Sequence, residues 1–153
     1  MEIGLKSKIG LKSFIFTILQ SLALILLIFI GPWEKRNTFL FFLQIFGLIL
    51  WVWSFAFMLF KKSYGLFSEV SRKSQLITRG PFRFIRHPLY SGILIFCLAL
   101  LLNYFNFLRI FLFLLLLAST ILKLDQEEKF LVKHFKDYPD YQKKTKRLIP
   151  FVY

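Results

Sequence analysis

The sequence predicts an all-α integral membrane protein with about four transmembrane helices, a cytoplasmic loop and a C-terminal amphipathic helix. Three observations predict it. Hydrophobic residues fill 57% of the 153 positions, 21 of them Phe, where a soluble domain sits nearer roughly 45–50% apolar. They gather into runs, and a bilayer needs about 20 mostly apolar residues per helix. The basic residues lie between those runs instead of being dispersed.

The first run, 14–30, closes at Gly31-Pro32. Lys6, Lys8 and Lys12 precede it, as in a secretory signal, but "LIFIGPW" offers no small-x-small cleavage site, so an uncleaved first span is expected. The second run, 38–60, contains Trp51 and Trp53. The third, 88–102, is short unless Pro88 opens it. Proline suits the first helical turn, where its missing N–H costs nothing. The fourth, 105–124, follows the polar break "NYFN". Arg109 stands just beyond that break and is expected to snorkel to the interface.

Charge orients these spans. The net charge of +13 is compatible with nucleic acid, but the interruption of every basic cluster by apolar runs excludes that class. With four spans, the N-terminus, the 61–88 loop and the tail share one side and carry 18 of the 21 Lys and Arg residues. That side is expected to be cytoplasmic, with both termini there. One cysteine, Cys97, forbids an internal disulfide, and two His with it make no dedicated metal site. The whole chain, 1–153, is expected to form one membrane domain, with its chemistry in 74–150.

Residues 123–138 predict an amphipathic helix. Leu124, Leu131, Phe135 and Tyr138 form one stripe, and Lys129, Lys133 and Lys136 lie opposite. Pro139 is expected to end it. Glu127 and Glu128 border the stripe. A carboxylate beside apolar surface needs a partner or shifts toward neutral.

That partner is expected in "QLITRGPFRFIRHPLYSG", residues 75–92. His87 precedes Pro88 and is held extended. The first N–H groups of the helix, from Leu89, have no helical acceptor and carry the positive end of the dipole. They make a site for a small carboxylate or phosphate. Tyr90 and His87 add donors, Gly92 permits close approach, and Gly80-Pro81 predicts a turn. If the third and fourth spans are antiparallel neighbours, loop cations and tail carboxylates face one pocket for a ligand carrying both charges.

The ordered set "GPFRFIRHPLYSG", "EEKFLVKHF" and "YPDYQKKTKRLIP" resembles the isoprenylcysteine carboxyl methyltransferases and the related phospholipid methyltransferases. The likeness runs from Ser74 to Pro150. It rests on Gly80 and Phe82, Arg86 to Gly92, Glu127 and Glu128, Leu131 and Phe135, Tyr138 and Tyr141, and Arg147 with Pro150. The resemblance implies S-adenosyl-L-methionine as methyl donor, bound at the cytoplasmic ends of the last two spans. It implies cofactor contacts from Ser74, Gln75, Leu76 and Ile77 in a strand-like stretch, from Phe82, and from His87, Pro88, Leu89 and Tyr90. Glu127 matches a carboxylate that holds the cofactor, and Glu128 is grouped with it. Arg86, Lys123 and Glu127 are the expected catalytic set, with the cations orienting substrate. Lys123 stands where the prenylcysteine enzymes have Arg, and the two are not equivalent at a bidentate grip. The implied partner is a lipid-like or amphiphilic substrate arriving from the bilayer. The rival readings are an NADPH-dependent sterol-type reductase and a lipid-binding membrane protein without catalysis.

Overall fold

A computed structural model describes residues 2–30, 37–60 and 76–150, with side chains in the first helix from Phe14 onward. The elements are α1 (Glu2–Phe29), α2 (Thr38–Phe60), a 3-10 turn (Gly80–Arg83), α3 (Pro88–Asn103), α4 (Phe107–His134) and α5 (Tyr138–Lys144). Among the described residues, the only extended pairing is one parallel bridge, Ile85 with Lys146.

Local chemistry sets these limits. α1 begins well before Phe14, because no proline interrupts the basic N-terminal stretch. Asn37 caps α2, its Oδ1 accepting from the N–H groups of Phe39 and Leu40 at 2.9 and 3.2 Å. Pro88 occupies the first turn of α3, as expected, with His87 at the cap. Asn106 caps α4 by accepting from the Arg109 N–H at 2.8 Å. The fourth apolar run and the amphipathic tail are one 28-residue helix, since nothing between Leu124 and Glu127 breaks it. That helix ends at His134, short of the expected Tyr138. Pro139 does not end it; it opens α5, where its lack of an N–H is tolerated. The expected strand at 74–77 is absent where it can be seen: Leu76 and Ile77 have no regular structure, and Ser74 and Gln75 lie outside the described residues.

α2 and α4 are long and apolar enough to cross a membrane, while the apolar parts of α1 and α3 are shorter. Only 11% of the apolar window of α2 is buried against protein, which separates it from the core helix of a soluble domain. Phe42, Phe46, Ile49 and Trp53 of α2 and Phe111 and Leu114 of α4 face outward. An apolar surface of that kind calls for lipid around it.

The helices pack as two antiparallel pairs, α2 with α3 and α1 with α4, and the pairs touch more lightly. Glycine allows the first pair its closeness. A Cβ on Gly47 would stand 2.7 Å from the Gly92 carbonyl oxygen, and one on Gly92 equally close to that of Gly47. In the second pair Ala23 and Leu27 of α1 pack with Leu112 and Leu116 of α4, with Cys97 of α3 beside them. Arg109 does not snorkel. It is 1% exposed, and its guanidinium donates to the carbonyls of Ile30 at 2.6 Å and Leu100 at 2.7 Å. It thereby gives a donor to the Ile30 carbonyl after α1 and a second donor to the Leu100 carbonyl, which also accepts from the Tyr104 N–H at 3.3 Å, and a short α3–α4 turn puts it within reach of both.

Candidate functional site

The opposite end of the bundle carries the polar chemistry. Gly80, at φ +63°, turns the chain against the Phe57 ring of α2, where a Cβ would come within 2.7 Å. The chain then passes through a helical residue at Phe84 and the bridge at Ile85 to His87, which at φ −125° and ψ 58° is not extended as expected, because it already bends into the first turn of α3; the tail grips this segment. The Arg86 N–H donates to the Lys146 carbonyl at 2.7 Å and the His87 N–H to that of Arg147 at 3.1 Å. Ser91 Oγ donates to the Leu148 carbonyl at 2.7 Å, and the Tyr141 hydroxyl to the Phe82 carbonyl at 2.6 Å.

Glu128 locks this arrangement. It is 4% exposed. Arg86 Nε donates to Oε1 at 2.7 Å, while Arg147 Nε and Gln142 Nε2 donate to Oε2 at 3.0 and 3.2 Å. Arg86 also donates to the Gln142 and Thr145 carbonyls, and Arg147 reaches Asp125 at 2.8 Å. Burial by itself would raise the Glu128 carboxyl; the His87 ring and the Arg86 guanidinium outweigh it and hold the group at about 2. Burial pushes the nearby Tyr138 and Tyr141 hydroxyls up.

Glu127 is different. Its side chain is 21% exposed. Oε1 accepts from the Tyr90 hydroxyl at 2.7 Å, and Oε2 lies 3.8 Å from His87 Nδ1, beyond hydrogen-bond reach. Lys123 Nζ is 3.9 Å from Oε1 and 5.6 Å from the centre of the Tyr90 ring, and donates to Thr17 Oγ1 of α1 at 2.9 Å. His87 is buried, and its Nε2, 3.4 Å from Glu128 Oε1, makes no hydrogen bond.

The structure thus brings His87, Pro88, Tyr90, Lys123, Glu127 and Glu128 together at one end of α3 and α4. It divides the carboxylates that the sequence predicts in one pocket. Glu127 faces the start of α3; Glu128 faces the tail. A cavity of about 380 Å³ opens on the far side of Glu128, walled by Asp125, Lys129, Lys133, Gln142 and Arg147. The start of α3 does not line it. Arg86 belongs to the tail contact, and Phe82 joins the site through its carbonyl. Leu76 and Ile77 are half-buried, with no contact to Glu127 among those seen; Ser74 and Gln75 are outside the described residues. Sequence reasoning missed Thr17, Ser91, Gln142 and Thr145. It had Arg147 in its motif without a role. A lone hydroxyl in an apolar run was the available signal for Thr17, since such groups join helices in membranes.

An all-helical apolar bundle, with the ion pairs of its described residues gathered at one end, points to the class of membrane-associated proteins. The sequence model of the phospholipid methyltransferase family matches residues 35–138. The chain belongs to that family, and membership carries methyltransferase chemistry. The match takes in α2, which the motifs did not include, and stops before Tyr141, Arg147 and Pro150, which they did. No curated protein and no solved structure matches the chain.

Proposed function

We propose that the protein transfers a methyl group from S-adenosyl-L-methionine to an amphiphile held in the bilayer, at the cytoplasmic face. The reading takes four spans, 14–30, 38–60, 88–102 and 105–124, in a single domain with both termini cytoplasmic; α2 and α4, long and apolar enough to cross a membrane, support it. In this reading 74–150 is the working half, which the tail contact on the start of α3 supports. One observation carries the reading: the Tyr90 hydroxyl and Glu127 carboxylate meet at 2.7 Å, with His87 beside them, where α3 starts.

The residues fit a zwitterionic donor. Among the described residues Glu127 keeps an oxygen outside any hydrogen bond for an ammonium or hydroxyls, the buried His87 Nε2 lies 3.4 Å from Glu128 without a hydrogen bond, and the first N–H groups of α3 suit a carboxylate. S-adenosylmethionine supplies a sulfonium methyl as electrophile when bound. The chain does the rest. Leu89 and Tyr90 offer backbone donors, Glu127 anchors, Phe82 and Pro88 wall the site, and Glu128 keeps the tail closed so that water is excluded. Lys123 already covers a face of the Tyr90 ring, so Phe82 is the aromatic left for the sulfonium. Leu76 and Ile77, with Ser74 and Gln75, border the donor in this reading.

The acceptor we favour carries an amine. Arg86 and Arg147 are both engaged by carboxylates, so neither offers a free fork for the carboxylate of a prenylcysteine. Arg86 is then a positioning residue, and Lys123 is the cation that meets an anionic group of the headgroup.

Labelled S-adenosylmethionine incubated with the protein in membranes tests this. Label is expected in the lipid fraction and should vanish in Glu127→Gln. A folded wild-type protein that labels nothing would refute it. Thermal stabilisation by NADPH, and none by S-adenosylhomocysteine, would return the reductase reading.

A further inference from the structure

The face of α4 turned to α1 carries Arg109, Thr120 and Lys123, each buried. α1 answers each at its own depth. The Ile30 carbonyl accepts from Arg109, Gln20 Nε2 donates to Thr120 Oγ1 at 2.9 Å, and Thr17 Oγ1 accepts from Lys123 Nζ at 2.9 Å. These contacts fix the register of α1 on α4. Two of them are plain helix joints. The third ends on a cation lying 3.9 Å from Glu127 and 5.6 Å from the Tyr90 ring centre. α1 itself lies outside the matched residues 35–138.

We infer that Thr17 is a positioning residue for methyl transfer, holding the Lys123 ammonium beside Tyr90 and Glu127, so that the first helix is part of the active site and not only an anchor. The geometry argues for it. A lysine stem is flexible, and its ammonium has three donors. Glu127 at 3.9 Å attracts Lys123 without a hydrogen bond. Among the described residues Thr17 supplies the fixed acceptor on the other side. Without it the ammonium is free to collapse onto Glu127, neutralising the carboxylate and leaving the place where a headgroup anion would be met. The inference rests on the methyl-transfer reading.

The test pairs two isosteric changes on α1. Thr17→Val removes the tether to Lys123; Gln20→Leu removes the neighbouring joint to Thr120. With phosphatidylethanolamine in mixed micelles as acceptor, Thr17→Val should raise the acceptor KM roughly tenfold, the scale of one hydrogen bond to a charged group. Binding of S-adenosylhomocysteine should stay within about twofold, Thr17→Ser should restore the acceptor KM, and Gln20→Leu should leave it unchanged. Acetic anhydride provides a readout apart from activity: in the wild type Lys123 should be acetylated far more slowly than the exposed Lys129 and Lys133. Equal losses in both α1 variants, an unaltered Thr17→Val, or a wild-type Lys123 as reactive as Lys129 would overturn the inference. A wild type that transfers no methyl group at all, with Lys123 protected, is instead the failure of the methyl-transfer reading, and removes the role with it.

Discussion

The two ends of the bundle hold their arginines in opposite ways. At the turn end, Arg109 donates to two helix-terminal carbonyls, and no carboxylate among the described residues pairs with it. At the site end, Arg86 and Arg147 close on Glu128, and beside them Glu127 keeps a partly exposed carboxylate with one oxygen outside any hydrogen bond. The first arrangement is complete in itself. The second has one satisfied member and one unsatisfied member, next to each other in sequence. Buried polar groups in a fold are normally paired, as Glu128 is; Glu127 is partly exposed, accepts from Tyr90, and in the proposed reading takes the ligand with its other oxygen.

The sharpest way to break this contrast is Glu128→Ala. It leaves the Arg86 guanidinium without its counter-charge and removes one of the two carboxylates that Arg147 meets, and should cost about 3–5 kcal/mol, read as loss of folded protein or release of the tail to protease. Glu127→Ala should do the reverse. Binding of S-adenosylhomocysteine should fall roughly a hundredfold, while the melting temperature stays near the wild-type value; equal destabilisation by both would erase the distinction. Arg109→Met should lower stability by about 2 kcal/mol through lost hydrogen bonds, with activity per folded molecule unchanged.

Acid sharpens the contrast by a smaller amount. The Glu128 carboxyl lies at about 2 in the fold against an ordinary 4.5. A depressed carboxyl stabilises the fold fully above 4.5, and that contribution fades as pH falls from there through about 2. Tail protection followed by hydrogen exchange should therefore hold at pH 5 and weaken toward pH 2, and Glu128→Gln should remove that dependence.

The sequence reveals the site more fully than the packing. The Pro88 helix start, the adjacency of that start to the glutamate pair, and the lipid-facing character of α2 all follow from local rules: proline at a first turn, apolar run length, a three-residue turn between α3 and α4. Longer-range features do not. The division between Glu127 and Glu128 depends on where the tail lies, and nothing in "EEKF" says which carboxylate faces it. The bridge between Ile85 and Lys146 joins segments sixty residues apart, so no periodicity announces it. Arg109 reads as a snorkelling residue because its two carbonyl partners belong to helices whose neighbours only the fold defines. Pro139 reads as a stop because a proline that ends one helix and a proline that opens the next look alike without the backbone.

The backbone contact between Gly47 and Gly92 has a bearing on traffic. Where two main chains touch, no acyl tail can thread between them, and α1 and α4 are shut by their own side-chain joints. In the proposed reading a greasy guest arriving sideways is left with the seam between the pairs, across which Tyr90 of α3 meets Glu127 of α4. A photoreactive fatty chain should accordingly mark α3 and α4 and spare the buried side of α2; labelling along the Gly47 face would show that the door is elsewhere.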